Sequence, residues 1–191
     1  MNARTIKLLQ EMLLAIVISV GLEVGAHYLS LPYMALSLLP LIWLALRYSG
    51  ATAVIAGAVA GLTGGLILYG LAEPLKLIVL AILPVLVVGV AGFFAKYTQK
   101  TLNNRRLSST YLNIVTATVL VAKLYYAIRF GISPLALGMP STLVAQWLGV
   151  LVTIAVISIV LCVGAKLNAK LIIPKRSKYL SRKETSILLN D

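Results

Sequence analysis

The chain has 191 residues, 60% of them hydrophobic and 12% charged, with a formal net charge of +12. A soluble domain is about 25% charged and 45–50% apolar, so a core of this size cannot hide the apolar surplus, and the solvent is lipid. The single cysteine, Cys162, excludes an internal disulfide and a cysteine-rich metal site, while one histidine and five acids argue against a hydrolytic metal centre.

A spanning helix needs roughly 20 mostly apolar residues. Six segments qualify: about Ile6 to His27, a shorter one from about Met34 to Leu46, about Thr52 to Tyr69, Leu75 to Phe94, Leu112 to Phe130, and Thr142 to Leu167. The first has no small-residue cleavage site and is followed by more spans, so it reads as a true span. Pro40 interrupts the second and Pro84 the fourth, which membrane helices tolerate when neighbours satisfy the freed backbone. The expected fold is an all-α membrane protein of six transmembrane helices. Its domains are a helical body, 1–173, and a basic tail, 174–191. Pro174 ends any helix by Ile173, and the tail reads as a lipid-surface segment. The polar stretch "KYTQKTLNNRRLSS" reads as a loop dividing four helices from two.

The cations decide orientation. Arg4, Lys7, Arg47, Lys96, Lys100, Arg105, Arg106, Lys166, Lys170, Lys175, Arg176, Lys178, Arg182 and Lys183 fall on one side of a six-span chain, 14 of the 17. The positive-inside rule puts that side, and both termini, in the cytoplasm. Such a distribution fits anionic lipid or a cytoplasmic partner rather than nucleic acid. The expected location is the plasma membrane, in a bacterial setting.

Four motifs stand out. Ala53, Gly57, Gly61 and Gly65 form a small-residue ladder on one face of the third segment, fit for close helix packing inside the bundle or between subunits. Ala15 and Ser19 repeat that spacing on the first, followed by Gly21 and Gly25, and offer either internal packing or a docking face. Glu23 and His27 lie one turn apart near its outer end, facing the bundle interior or the head groups. "TATVLVAKLYYAIRFG", 116–131, places Lys123 about 10 Å below the outer boundary at 1.5 Å rise per residue. Lys123 either snorkels or lines a pocket with Tyr125 and Tyr126. "AGLTGG" lacks the ending of a phosphate-binding loop. No catalytic constellation is visible, so the chain is not expected to be an enzyme or to need a cofactor or metal.

The pattern resembles the substrate-binding S-components of energy-coupling-factor vitamin transporters, the thiamine-specific family above all. "ALSLLPLIWLALRYSGATAVIAGAVAGLTGG", 35–65, carries most of the likeness, with "VGVAGFFAK", 88–96, and "YAIRFGISP", 126–134. The resemblance implies high-affinity binding of a small vitamin from outside. It also implies assembly with a transmembrane coupling subunit and two cytoplasmic ATPases, the coupling subunit docking at Ala15 and Ser19. The family's acid on the fourth helix falls near Leu80 here, and its fifth-helix histidine near Ala117 or Thr118. The expected cargo is therefore thiamine, hydroxymethylpyrimidine or a pyridoxine-like compound. Expected contacts are Tyr33, Lys123, Tyr125, Tyr126 and Gln146, with Trp147 an alternative stacking platform. Rival readings are an accessory or sensor subunit of another complex, and a self-sufficient channel or transporter dimerising through Gly57 and Gly61.

Overall fold

The computed structural model describes residues 3–29, 34–175 and 177–180. Among these the chain is helical, without strands: α1 (Ala3–Tyr28), α2 (Leu38–Arg47), α3 (Gly50–Tyr69), α4 (Pro74–Asn103), α5 (Leu107–Ala136) and α6 (Leu143–Leu167). All but α2 are long and apolar enough to cross a bilayer. The short α2 instead fills the centre, with Leu38, Leu41, Ile42, Leu44, Ala45 and Leu46 fully buried. Ser49 caps α3 by accepting from the Thr52 amide at 3.3 Å. Gly70 closes the same helix at φ 69°, a left-handed conformation open to glycine.

The basic stretch 96–109 is not the expected loop. α4 runs on to Asn103, and a tight turn at Asn104–Arg106 leads straight into α5. Ala95, Thr98, Gln99 and Leu102 are all buried, and their i, i+3, i+4, i+7 spacing makes one packed stripe. The four-plus-two division therefore dissolves into a continuous helical hairpin.

The ladder on α3 packs inward against α4. A methyl group on Gly61 would stand 2.7 Å from the Ala81 carbonyl oxygen, closer than side-chain atoms approach backbone. Ala53, Gly57 and Gly65 are buried on the same face. The dimer expected through Gly57 and Gly61 has no free surface there.

Two prolines shape α4 and α5. A regular α-helix would bond the Leu80 carbonyl to residue 84, but Pro84 has no N–H to give. The backbone widens into a π-turn over Leu77–Ile82, with the Leu83 amide reaching back to Ile78. α5 takes up the released carbonyls: Ser133 Oγ donates to Val79 O at 2.6 Å, and Arg129 Nη1 donates to Leu80 O. Pro134 repeats the device. A π-turn spans Ala127–Ile132, and Phe130 O accepts from the Thr142 amide and Ser141 Oγ, both at 3.0 Å.

The cation-rich end of the bundle is closed by Arg47, whose side chain is 5% exposed. It donates to Glu11 Oε1 at 2.9 Å and to the carbonyls of Lys170 and Leu171. Tyr48 Oη donates to Glu11 Oε2 at 2.7 Å, and Trp43 Nε1 to Leu171 O at 2.9 Å. Gln99 donates to the carbonyls of Leu46 and Arg47 at 2.8 Å and accepts from Ser177 Oγ. Ile172, Ile173, Pro174 and Leu180 are buried. The described part of the tail thus packs onto the helix ends.

Gly61→Val should cost about 1–3 kcal/mol by forcing α3 off α4, read as a lowered melting temperature in detergent; an unchanged temperature would refute this packing. Arg47→Met should cost about 3–5 kcal/mol, because it strands Glu11. Adding Glu11→Gln to that variant should recover part of the loss.

Candidate functional site

At the opposite end of the bundle, α1 brings a second carboxylate inward. Glu23 Oε1 lies 3.3 Å from Arg129 Nη2, with the two side chains 22% and 14% exposed. Glu23 Oε2 accepts from Ser37 Oγ at 2.7 Å. Arg129 Nη2 also donates to Tyr69 Oη at 3.2 Å, while Nη1 holds the Leu80 carbonyl. Four elements and the segment before α2 meet on these two charges. Each has a reason to be there: a carboxylate inside a span needs a cation, and Leu80 O needs a donor.

Two small cavities flank Glu23. The outer, about 30 Å³, is lined by Glu23, Ala26, His27, Met34, Leu68, Tyr125 and Arg129. The inner, about 10 Å³, lies between Ser19, Glu23, Ser37, Leu68, Ala81 and the glycine face of α3. Both are far smaller than the roughly 300–1,000 Å³ of a small-molecule pocket. Glu23 and Leu68 line both. A carboxylate beside a guanidinium, a phenol and a serine hydroxyl, under a histidine, can recognise charged and hydrogen-bonding groups.

Residues 11–133, more than half of the chain, match the thiamine transporter protein family (Thia_YuaJ). The chain belongs to this family. The solved structure of ThiT from Listeria monocytogenes superposes with a TM-score of 0.71 at 20% identity, covering 91% of this chain and all of that one. That likeness shows the fold. No curated protein sequence is similar enough to match. Membership bears out the resemblance drawn from segments 35–65, 88–96 and 126–134, which lie almost wholly inside the matched span. It identifies a multi-pass membrane transport protein.

The expected site residues scatter. Tyr125 is buried and lines the outer cavity. Tyr126 is buried too, but it is a strut: its hydroxyl lies 2.9 Å from Thr153 Oγ1 and accepts from the Ala35 amide at 3.3 Å. Its ring stacks on Phe130. Lys123 stands apart from both cavities. It is exposed beside Leu120 and Leu124, on the side of α5 away from the buried Val121, Ala122 and Tyr125, and it lines neither cavity. The guanidinium of Arg129, a turn and a half further on, takes the interior position instead. Gln146 is buried, with an Oε1 that accepts no bond among the described residues, and it borders neither cavity. Trp147 is exposed. Tyr33 lies outside the described residues.

Ala15 and Ser19, the expected docking residues, face the bundle. They are 1% and 3% exposed, and Ser19 Oγ donates to the Ser37 carbonyl at 2.9 Å. Their small side chains serve the close approach of α1 to the bundle. Glu23 was visible in the sequence as an acid within a span, but its partner was not. The inward anchor of Arg129, the Leu80 carbonyl that Pro84 cannot bond, has no local signal in the sequence.

In titrations with thiamine, Lys123→Met should bind within about twofold of the unchanged chain, as exposed substitutions cost at most about 0.5 kcal/mol. A larger change would return Lys123 to the site.

Proposed function

We propose that this chain is the substrate-binding subunit of an energy-coupling-factor importer for thiamine or a closely related heterocyclic vitamin. The observation that carries the reading is the Glu23 carboxylate, set between two cavities in the half of the bundle away from the cation-rich end. A cationic or donor-bearing ring needs such an acceptor in a low-dielectric site. The resemblance places an acid on the fourth helix near Leu80. Arg129 bridges the Leu80 carbonyl to Glu23, so α1 supplies the acid that α4 lacks.

By the positive-inside rule the cation-rich end faces the cytoplasm, and the Glu23 cavities open toward the outside. Substrate entry parts Glu23 from its neighbours. α1 is the helix suited to yield, with 11% of its spanning window buried against 33–39% in the other spans. A transmembrane coupling subunit and two ATPases supply the energy, since the chain itself has no nucleotide-binding loop. The coupling subunit meets the face of α1 that the bundle leaves open, along Leu13, Leu14, Val17, Ile18 and Gly21. Vitamin uptake on this scheme alternates between loading from outside and release at the cytoplasmic end.

Glu23→Gln should weaken thiamine binding about tenfold to a hundredfold, the worth of a charge-assisted hydrogen bond, measured by isothermal titration of the purified protein. Full affinity in that variant would remove Glu23 from the site. Copurification should bring down a coupling subunit and two ATPases, and Gly21→Phe should weaken that capture while leaving thiamine binding intact. A pore-forming homo-oligomer active without ATPases would overturn the assignment.

A further inference from the structure

Arg129 is fixed more firmly than Glu23. Its guanidinium is tied to α4 through the Leu80 carbonyl and to α3 through Tyr69 Oη, neither of which involves α1. The first tie answers a carbonyl that Pro84 cannot bond, so withdrawing Arg129 would leave that oxygen without its donor. Glu23 is held by Arg129 and by Ser37 Oγ, and sits on the least covered helix. When a substrate enters, Glu23 moves and Arg129 stays.

The consequence is one of charge. The closed site holds one carboxylate and one guanidinium and is neutral as a pair. A substrate carrying only a cation would compete with Arg129 for Glu23 and leave two positive groups around one carboxylate, out of water. A low-dielectric site penalises that arrangement heavily. A substrate that also carries an anion restores the balance. The Arg129 fork has donors to spare, because the structure engages Nη1 and Nη2 and gives Nε no partner among the described hydrogen bonds. A planar fork of this kind matches phosphate and carboxylate geometry.

We infer that the preferred substrate carries an anionic group, a phosphate or a carboxylate, beside its cationic or donor-bearing ring. The ring takes Glu23, and the anionic group takes Arg129. This rests on reading the site as that of a thiamine-like vitamin, and it narrows the substrate class.

The test is isothermal titration of the purified, ligand-free chain with thiamine, thiamine monophosphate and thiamine acetic acid, the last ending in a carboxylate. The unchanged protein should bind at least one of the two anionic compounds about tenfold or more tighter than thiamine, and the tighter of the two says which anion the fork takes. Arg129→Gln, checked for folding by its melting temperature, should lose that preference, and Arg129→Lys should keep part of it. Should the glutamine variant not fold, the ratio in the unchanged protein decides alone. Thiamine bound as tightly as either anionic compound, or a preference that survives Arg129→Gln, would overturn the inference and leave the thiamine reading standing. Binding of none of the three would overturn both.

Discussion

In hydrocarbon, a backbone carbonyl without a partner has no water to turn to. Pro84 creates that problem in the middle of α4, and much of the bundle answers it. The π-turn over Leu77–Ile82 shifts the bonding pattern, and the released oxygens of Val79 and Leu80 draw Ser133 and Arg129 of α5 toward α4. A guanidinium so anchored needs a counter-charge, which brings in Glu23 of α1 and, behind it, Ser37. One missing N–H thus leads by successive satisfaction to the only carboxylate–guanidinium pair described in that half of the bundle. The placement is local chemistry, set by an imino acid, before any ligand is considered.

The two ends of the molecule use the same pair of groups differently. At the cation-rich end, Arg47 is surrounded by Glu11, two backbone carbonyls and the rings of Trp43 and Tyr48. The chain's last described segment closes over them. Around Glu23 and Arg129 the charged pair borders two small cavities and the covering helix is mostly bare, whereas the cavity of about 170 Å³ beside Trp43 and Leu171 at the other end is lined by apolar side chains. Saturated bonding suits a fixed floor, and a charged pair bordering a cavity suits a place where a polar group must enter.

The helices themselves were legible, because roughly 20 apolar residues in a row admit few other readings. The faces of those helices were harder to read. In water the polar side of a helix marks its outside, but lipid is as apolar as a protein core, so hydrophobicity does not separate in from out. Lys123 is therefore open to both readings, snorkelling or lining a pocket with Tyr125 and Tyr126. Small residues mark the inner face: Ala117, Thr118 and Ala122 lie on the buried side of α5, together with the larger Ile114, Val121, Tyr125 and Tyr126. The same rule turns Ala15 and Ser19 inward on α1. The end of α4 reads as a loop for the opposite reason. Its polar composition suggested a loop, although Ala95, Thr98, Gln99 and Leu102 already carried the helical repeat. The partnership of Glu23 with Arg129 spans 106 positions and depends on the geometry of a π-turn, which no local pattern announces.

α1 touches ionic partners at two points, Glu11 and Glu23, each meeting an arginine from another helix. Twelve residues separate them, roughly 18 Å along the axis at 1.5 Å per residue. Such a rod, pinned at both ends and lightly covered between, behaves as a lever. With the Arg47 pin intact, a tilt of about 10° carries the other end about 3 Å sideways over that length. Leverage of this kind turns the loss of one ion pair into a gap running the length of the helix.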